Sequence, residues 1–306
     1  MKLTGPEISV YEYGAWKEFL LPACIPDAGR IAAKLGDIGD DVLAQISADC
    51  RMFVFHLNVT ITAGLPLNRR ALIEKLHQRD IVVLNDAMED ISKRRVQAIA
   101  GFAGAHPTTA SRLGDPDELL IVKTDYNYHG AAECRMPAEQ LRQLGYPSPE
   151  DLPKPSETHY RIQRRAEVDP RFWDSPHWVV ERFVTNKSDQ FHRVYVAGDA
   201  MIVSRVFDSS TFKKMPEGIQ RESFYMSVGA PLRSPQVPAE IGECGRLCAQ
   251  VTRAAKIDYG AYDVVNNDDG EFFLIDINTT PHWGDGGHPE LLSYLAAGIL
   301  ELGHVA

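Results

Sequence analysis

The chain has 306 residues, of which 44% are hydrophobic and 24% charged, as in ordinary globular proteins. Its net charge of −10 at pH 7 argues against nucleic acid or an anionic membrane as a partner, because both bind basic surfaces. There is no membrane-spanning apolar run and no signal-peptide core, and the five cysteines are scattered, so we expect a cytoplasmic protein with free thiols.

The N-terminal third predicts a small parallel α/β unit. Apolar residues at helical spacing predict a helix over 28–46, and a run of β-formers predicts a strand over 52–59. A helix over 68–78 and a buried strand over 81–84 follow. Because strands and helices alternate, we expect a parallel sheet, within a unit that covers residues 1–91.

The middle third carries two strands around a polar loop. A helix is predicted over 92–103, and the strand LLIVK (119–123) ends in a lysine. The polar, aromatic loop TDYNYHG (124–130) comes next, and the Pro-rich stretch 145–158 predicts an exposed loop or lid. The segment WVVERFV (178–184) predicts a second strand.

The C-terminal third predicts two hairpins and two helices. The first hairpin covers 192–207 and is followed by an irregular stretch, 208–236. An amphipathic helix is predicted over 239–256, a second hairpin over 261–281, and a closing helix over 289–302.

The second hairpin carries three oxygen-bearing side chains. Asp276 and Asn278 are two residues apart on one strand, so both leave the same face, and antiparallel pairing can place Asp263 opposite them. Such a group is costly beside apolar neighbours unless a cation lies between its members, and Mg²⁺ with nucleotide phosphates fits best. The alternative is an acidic, solvated sheet edge.

Basic residues on separate elements point to one anionic ligand. Lys93 begins a helix, Lys123 ends a strand, and Arg193 and Arg205 lie on the two arms of the first hairpin. Cations and Mg²⁺ around the terminal phosphates are the usual arrangement for phosphoryl transfer. Each residue has a simpler alternative as a solvated surface group, and Arg205 could form a surface salt bridge.

Other catalytic schemes have no support in the sequence. The patterns GxSxG, HExxH, Walker A and GxGxxG are all absent.

The order of these parts resembles the ATP-grasp superfamily of carboxylate–amine ligases. The segment DISKRRVQAIAGFAGAHPTT is similar to the family's first lysine run, with Ser92 where an Asp is usual. LLIVK is similar to the strand of the second lysine, with Thr124 in place of Pro, and NYHG stands where a Gly-rich phosphate loop is usual. AYDVV and FFLIDINTTP are similar to the metal-binding signature, with Asp276 in place of the commoner Glu.

The resemblance implies a role for each part. Lys93, Lys123 and Gly130 would bind phosphates, and Arg193 and Arg205 would face the triphosphate and the acyl phosphate. Asp263, Asp276 and Asn278 would hold Mg²⁺, which Mn²⁺ could replace. The hinge residues would bind adenine, and one of two polar residues would bind ribose: Glu181, Arg182, Phe183 and Val184, then Asn186 or Asp189. Glu181 could instead simply pair with Arg182 or another cation.

The resemblance also implies fold and activity. We expect a mixed α+β and α/β chain in which an N-terminal unit (1–91) precedes a central lid (92–183) and a C-terminal subdomain with the metal site (184–306). ATP would lie between the last two. The implied reaction is ADP-forming ligation of a carboxylate to an amine through an acyl phosphate. The alternatives are a small-molecule kinase on the same fold, or a nucleotide-binding regulatory protein without turnover.

The substrates are less defined. Four basic residues in the stretch 208–236 would suit a small carboxylate such as an amino acid or peptide, unless the stretch is a solvated loop: Lys213, Lys214, Arg221 and Arg233. His282, Trp283 and His288 follow the metal strand and could contact the acceptor, or be ordinary loop residues. A homodimer is implied by resemblance only.

Overall fold

The computed structural model describes residues 7–14, 17–212, 221–230, 236–283 and 288–303. Within these ranges the strands are β1 (Ile8–Tyr13), β2 (Gly29–Ala32), β3 (Met52–Leu57), β4 (Val82–Leu84), β5 (Leu119–Thr124), β6 (Arg161–Arg164), β7 (Trp178–Arg182), β8 (Gln190–Ala197), β9 (Ala200–Phe207), β10 (Arg221–Ser227), β11 (Tyr259–Asn266) and β12 (Phe272–Asn278). The α-helices are α1 (Leu20–Cys24), α2 (Gly39–Leu43), α3 (Arg69–His77), α4 (Lys93–Phe102), α5 (Ala138–Leu144), α6 (Pro170–Asp174), α7 (Ala239–Ala255) and α8 (Pro289–Leu302). No helix in these ranges is long and apolar enough to cross a membrane.

The N-terminal sheet is parallel, with strand order β2-β1-β3-β4. The prediction of a parallel α/β unit is therefore confirmed, as are the predicted strands at 52–59 and 81–84. The predicted helix over 28–46 is wrong. This stretch forms β2, an edge strand beside β1, then a turn at Gly36 with φ of +92°, and then the short α2.

The middle sheet is antiparallel, with strand order β6-β5-β7, and we refer to it as the lid sheet. One of its faces buries Leu120, Val122, Trp178 and Val180 beneath Phe172 of α6. Because side chains alternate along a strand, Lys123 and Glu181 lie on the opposite face.

The third sheet is antiparallel, with strand order β10-β9-β8-β11-β12. Helices α4 and α7 pack on one face, which we call the helix face, over a core that includes Val194, Val264 and Leu274. Both predicted hairpins are confirmed as β8–β9 and β11–β12. Strand β10 lies in the stretch that was expected to be irregular, where it pairs with β9.

The opposite face of this sheet, which we call the site face, is divided in two. Its lower half packs against the N-terminal sheet and α8 through Tyr195, Ala197 and Ala261. Its upper half carries Arg193 and the acidic residues of the second hairpin, because these alternate with the residues of the helix face.

Candidate active site

Four charged residues lie in a line across the upper half of the site face. Strand pairing places Arg193 opposite Asp263, and Asp263 opposite Asp276. Lys93, at the start of α4, reaches Asp276 around the edge strand β12. The two carboxylates therefore lie next to each other between the two basic groups, and we call these four residues the charge row.

Each end of the charge row is a close ion pair. Lys93 Nζ lies 2.5 Å from Asp276 Oδ1, and Arg193 donates from a terminal nitrogen to Asp263 Oδ1 at 2.7 Å. The Lys93 side chain is only 2% exposed, whereas that of Asp276 is 22% exposed. Burial acts to lower the pKa of Arg193, but Asp263 and Tyr195 raise it, and the net pKa lies above its ordinary value. The Arg193 guanidinium is thus held charged beside the Asp263 carboxylate.

Each of the two carboxylates uses one oxygen in its ion pair and keeps the other. Among the described residues, neither Asp263 Oδ2 nor Asp276 Oδ2 makes a hydrogen bond or ion pair. Asn278 lies opposite Ala261, next to this pair, but its amide oxygen accepts from the backbone N–H of Thr280 at 2.8 Å. Two free carboxylate oxygens and one amide oxygen fit a hard cation that keeps water ligands, as Mg²⁺ does. In the described part of the chain, His, Cys, Asp and Glu alone form no metal-binding group of three.

The lid sheet presents a second buried ion pair. Lys123 Nζ lies 2.9 Å from Glu181 Oε2, and the Thr108 hydroxyl donates to the same oxygen at 2.7 Å. The two charged side chains are 6% and 3% exposed. Glu181 Oε1 is buried and has no hydrogen-bond partner in the part of the chain that the structure describes. A buried carboxylate oxygen is stable only with a donor, so this atom fits a ligand amino group.

The charges of two groups of residues act on Tyr160: the charge row, and the ion pair of Lys123 with Glu181, which we call the lid pair. Burial raises the pKa of this phenol to about 12, and the charge of Lys123 opposes the rise, whereas Asp276, Glu181 and Asp263 add to it. Arg182 of β7 lies over the Phe273 ring of β12, with its guanidinium carbon 5.6 Å from the ring centroid, so the lid sheet lies beside the acidic hairpin. Sequence reasoning missed Tyr160, which precedes β6 in a segment without a recognisable pattern.

The NYHG turn lies beside Tyr160 and has an unusual backbone. Tyr128, His129 and Gly130 all have positive φ values, of 46°, 60° and 74°. Two residues with side chains therefore adopt a conformation that costs about 1–3 kcal/mol each and that is concentrated at ligand sites. The His129 ring packs 4.3 Å from Tyr160. The backbone geometry of a Gly-rich loop is thus present with a single glycine.

An apolar floor lies between the charge row and the hinge. It consists of four buried side chains, with two partly buried ones against them: Phe191, Val206, Val265 and Phe273, then Val184 and Ile275. The backbone N–H groups of Arg182 and Phe183 bind Thr108 and Leu119. That of Val184 has no hydrogen-bond partner among the described residues. A flat apolar ring with one hydrogen-bond acceptor would fit here.

Two predicted site residues are corrected by the structure. Arg205 pairs with His192 in the register of β8 and β9, so it lies on the helix face, on the other side of the sheet from Arg193. There it binds Glu222 and Glu240, which is the surface salt bridge considered as the alternative. Asn186 uses both amide hydrogens and its oxygen within its own loop and toward Asn266, so no group is left for a ribose.

The remaining residues that the sequence suggested for the site lie in several different places. Asp189 is exposed at the start of β8, with a φ of +54°. Arg221 begins β10 opposite Val206 and so shares the site face. Trp283 packs on Tyr195, and its buried indole N–H has no hydrogen-bond partner within the described ranges. His282 is 3.7 Å from Glu18 of the N-terminal unit, and His288 precedes α8. Lys213, Lys214 and Arg233 lie outside the described residues.

Solved structures of ligases match this chain in the arrangement of their elements. The ATP-grasp ligase PsnB, in a complex with a phosphomimetic variant of its minimal precursor, Mg and ADP, matches with a TM-score of 0.50 and 12% identity over 98% of this chain and 100% of that chain. The D-alanine–D-alanine ligase of Bacillus anthracis, in a complex with ATP, matches with a TM-score of 0.50 and 14% identity over 97% of both chains. The chain has the ATP-grasp fold. No family model matches the sequence, and no curated protein matches it.

The fold brings the predicted nucleotide-binding residues of two sheets to one region. The lid pair belongs to the lid sheet, and the apolar floor and the charge row lie on the site face of the five-stranded sheet, so the nucleotide cleft between them stays a prediction. Helix α4, which the expected boundaries place in the central lid, packs instead on the five-stranded sheet. Lys93 therefore belongs to a helix that packs on the five-stranded sheet, and Lys123 belongs to the lid sheet.

Proposed function

We propose that the protein is an ATP- and Mg²⁺-dependent ligase, which joins a carboxylate to an amine through an acyl phosphate and releases ADP. The observation that carries the proposal is the charge row: two facing carboxylates with free oxygens, flanked by Lys93 and Arg193. A metal-bound triphosphate matches this pattern, because the cation satisfies the carboxylates while the phosphates satisfy the basic groups. The low-identity likeness to ATP-grasp ligases supports the same class of reaction.

Each part of the cleft would bind one part of ATP. The apolar floor would hold adenine, with Glu181 Oε1 accepting from its amino group and the Val184 N–H donating to a ring nitrogen. Asp189 is the remaining ribose candidate. Lys93 and Lys123 would bind the phosphates from below and above. Mg²⁺, when bound by Asp263, Asp276 and Asn278, would neutralise charge on the transferring phosphate.

The chemistry would then proceed in two steps. An oxygen of the substrate carboxylate attacks the γ-phosphorus of ATP, the bond to the β-phosphate oxygen breaks, and ADP leaves. The amine attacks the carbonyl carbon of the acyl phosphate, loses a proton, and inorganic phosphate leaves. Of the two arginines on the β8–β9 hairpin, Arg193 is the one that lies on the site face. It would therefore stabilise the oxyanion in place of Arg205. Tyr160 and the lid sheet would exclude water from the acyl phosphate.

The substrates would enter where the metal strand meets the N-terminal unit. The Thr280 hydroxyl donates to Asn58 Oδ1 at 3.2 Å, directly after the predicted metal ligands. Ligands of parallel sheets bind at the carboxyl ends of the strands, which is where Asn58 follows β3. Arg221 on the site face would suit a carboxylate. We therefore propose an amino acid or a peptide-like molecule as the substrate class. A homodimer and a cytoplasmic location stay predictions.

The test is a mass-spectrometric screen of paired carboxylates and amines with ATP and Mg²⁺. The expected product is a conjugate that has lost one water, formed with equal amounts of ADP and phosphate, and absent in Asp263→Asn. A stable phosphorylated product would instead identify a kinase. Nucleotide binding without turnover across the whole panel would favour the regulatory protein. Either result would overturn the ligase proposal.

A further inference from the structure

The four charges of the charge row are paired with one another within the protein. Its two basic groups and two carboxylates sum to zero, and every one of them is paired. The groups expected to bind phosphates are thus the counter-ions of the groups expected to bind the metal. This arrangement has a thermodynamic consequence that rests on the proposed function but goes beyond it.

We propose that the divalent cation and the triphosphate bind this chain with strong positive coupling. The protein groups that bind one ligand are paired with the groups that bind the other, and they are released only when both ligands are present. The exchange is a swap of partners. The cation takes Asp263 and Asp276, and the phosphates take Lys93 and Arg193. After the swap the two carboxylates face the cation, and the two basic groups face the phosphates.

A single ligand cannot make this exchange without a penalty. A cation alone that binds the free carboxylate oxygens lies beside the Lys93 ammonium and is repelled by it, and because the Lys93 side chain is 2% exposed, water screens this repulsion poorly. A triphosphate alone must draw Lys93 and Arg193 away from two facing carboxylates, which then repel each other and the phosphates. The binding of either ligand alone therefore includes an unfavourable free energy, which disappears when the other ligand is also bound.

The lid pair provides an internal comparison. Lys123 also belongs to the cleft and is also buried, but its partner is Glu181 rather than a predicted metal ligand. Loss of Lys123 should weaken nucleotide binding and leave the binding of a cation alone unchanged. Lys93 and Lys123 thus form a matched pair of variants.

The test measures Mn²⁺ binding by the loss of the free-ion paramagnetic resonance signal, with and without a non-hydrolysable ATP analogue. Lys93→Gln should bind Mn²⁺ alone more tightly than the wild type, by roughly 5–150-fold, which is the usual range of coupling between sites. The same variant should bind the Mn²⁺–analogue complex more weakly. Opposite signs in one variant are not expected from general damage to the fold.

Arg193→Gln should show the same two signs, and it decides the question if circular dichroism shows that Lys93→Gln does not fold. Lys123→Gln should lower the affinity for the complex only. Unchanged or weaker binding of Mn²⁺ alone in both Lys93→Gln and Arg193→Gln would overturn the inference while leaving the ligase proposal intact. A wild-type chain that binds no analogue at any Mn²⁺ concentration would overturn the proposed function, independently of the variants.

Discussion

Lys93 and Asp276 are 183 residues apart in the sequence, and their side chains meet in an ion pair of 2.5 Å. The contact joins the first residue of α4 to the edge strand of the five-stranded sheet. A lysine expected to bind phosphate and an aspartate expected to bind metal thus face one cleft, which is the condition that the enzyme hypothesis requires.

Loss of the Asp276 charge should affect both stability and turnover. Asp276→Asn leaves a buried ammonium without its counter-ion, so we expect the free energy of unfolding to fall by about 1–3 kcal/mol, less than for a fully buried pair because Asp276 is partly exposed. Mg²⁺-dependent turnover should be lost. Denaturant unfolding and product formation measure the two effects.

The double variant Lys93→Met with Asp276→Asn serves as the control. It should recover most of the lost stability, because no buried charge remains, but it should not recover turnover. A wild-type rate in Asp276→Asn would remove this residue from the metal site.

Lys123→Met should weaken ATP binding by about 2–5 kcal/mol, since it removes a buried cation from the phosphate site. Isothermal titration calorimetry measures the affinity. Lys187→Met is the control, because Lys187 is 91% exposed and pairs with Asp268 outside the cleft. Combining Lys123→Met with Glu181→Gln separates the lost phosphate contact from the effect of an unpaired Glu181. An unchanged ATP affinity in Lys123→Met would contradict its role.

The two arginines of the first hairpin should differ in their effect on catalysis. Arg193→Ala should lower kcat/KM roughly 10²-fold, as does the loss of one oxyanion-stabilising group. Arg205→Ala should have a far smaller effect on kcat/KM, and it should change stability by about 1 kcal/mol or less, because its partners are exposed carboxylates on the helix face. Equal losses of kcat/KM in the two variants would contradict the assignment of faces.

His192 should make stability depend on pH between about 4 and 6.5. Burial, with a contribution from the Arg205 charge, lowers the pKa of this imidazole to about 4. In that interval the unfolded chain binds a proton and the folded chain does not, so stability falls as the pH is lowered. The full effect of the His192 shift on the free energy of unfolding is about 3 kcal/mol.

Urea unfolding at pH 7 and pH 5 measures this dependence. His192→Leu should reduce the difference between the two pH values, whereas replacing the exposed His288 should not. His56, whose pKa burial lowers to about 3, adds to the same trend and explains any remaining slope. A difference that is identical in the wild type and His192→Leu would contradict the prediction.

Local sequence patterns were enough to predict the structure where the geometry of a segment depends on that segment alone. The placement of Asp263 opposite Asp276 followed from alternation along a hairpin with a clear Asn/Asp/Gly turn, and the structure confirms it. Helices α3, α4, α7 and α8 agree with the predicted ranges within a few residues, because each has an apolar stripe and clear ends.

Predictions from local patterns were wrong where contacts with a neighbouring element determine the structure of a segment. The spacing of Ile31, Leu35 and Ile38 fits a helix, but pairing with β1 makes the start of this stretch an edge strand. Strand β10 has no clear alternation and exists because β9 offers it a partner. The face of Arg205 depended on the register between β8 and β9, where a shift of one residue reverses the face of every side chain.

The sequence by itself determined the acidic hairpin, the two lysines and the order of the elements, because these depend on residue types and on periods of two and 3.6 within single segments. Only the tertiary structure decided which charges meet. The ion pairs of Lys93 with Asp276 and of Lys123 with Glu181 join residues that are distant in the chain, and the position of Arg205 is set by strand register. Contacts between distant segments depend on how whole sheets pack, which no local pattern of residues encodes.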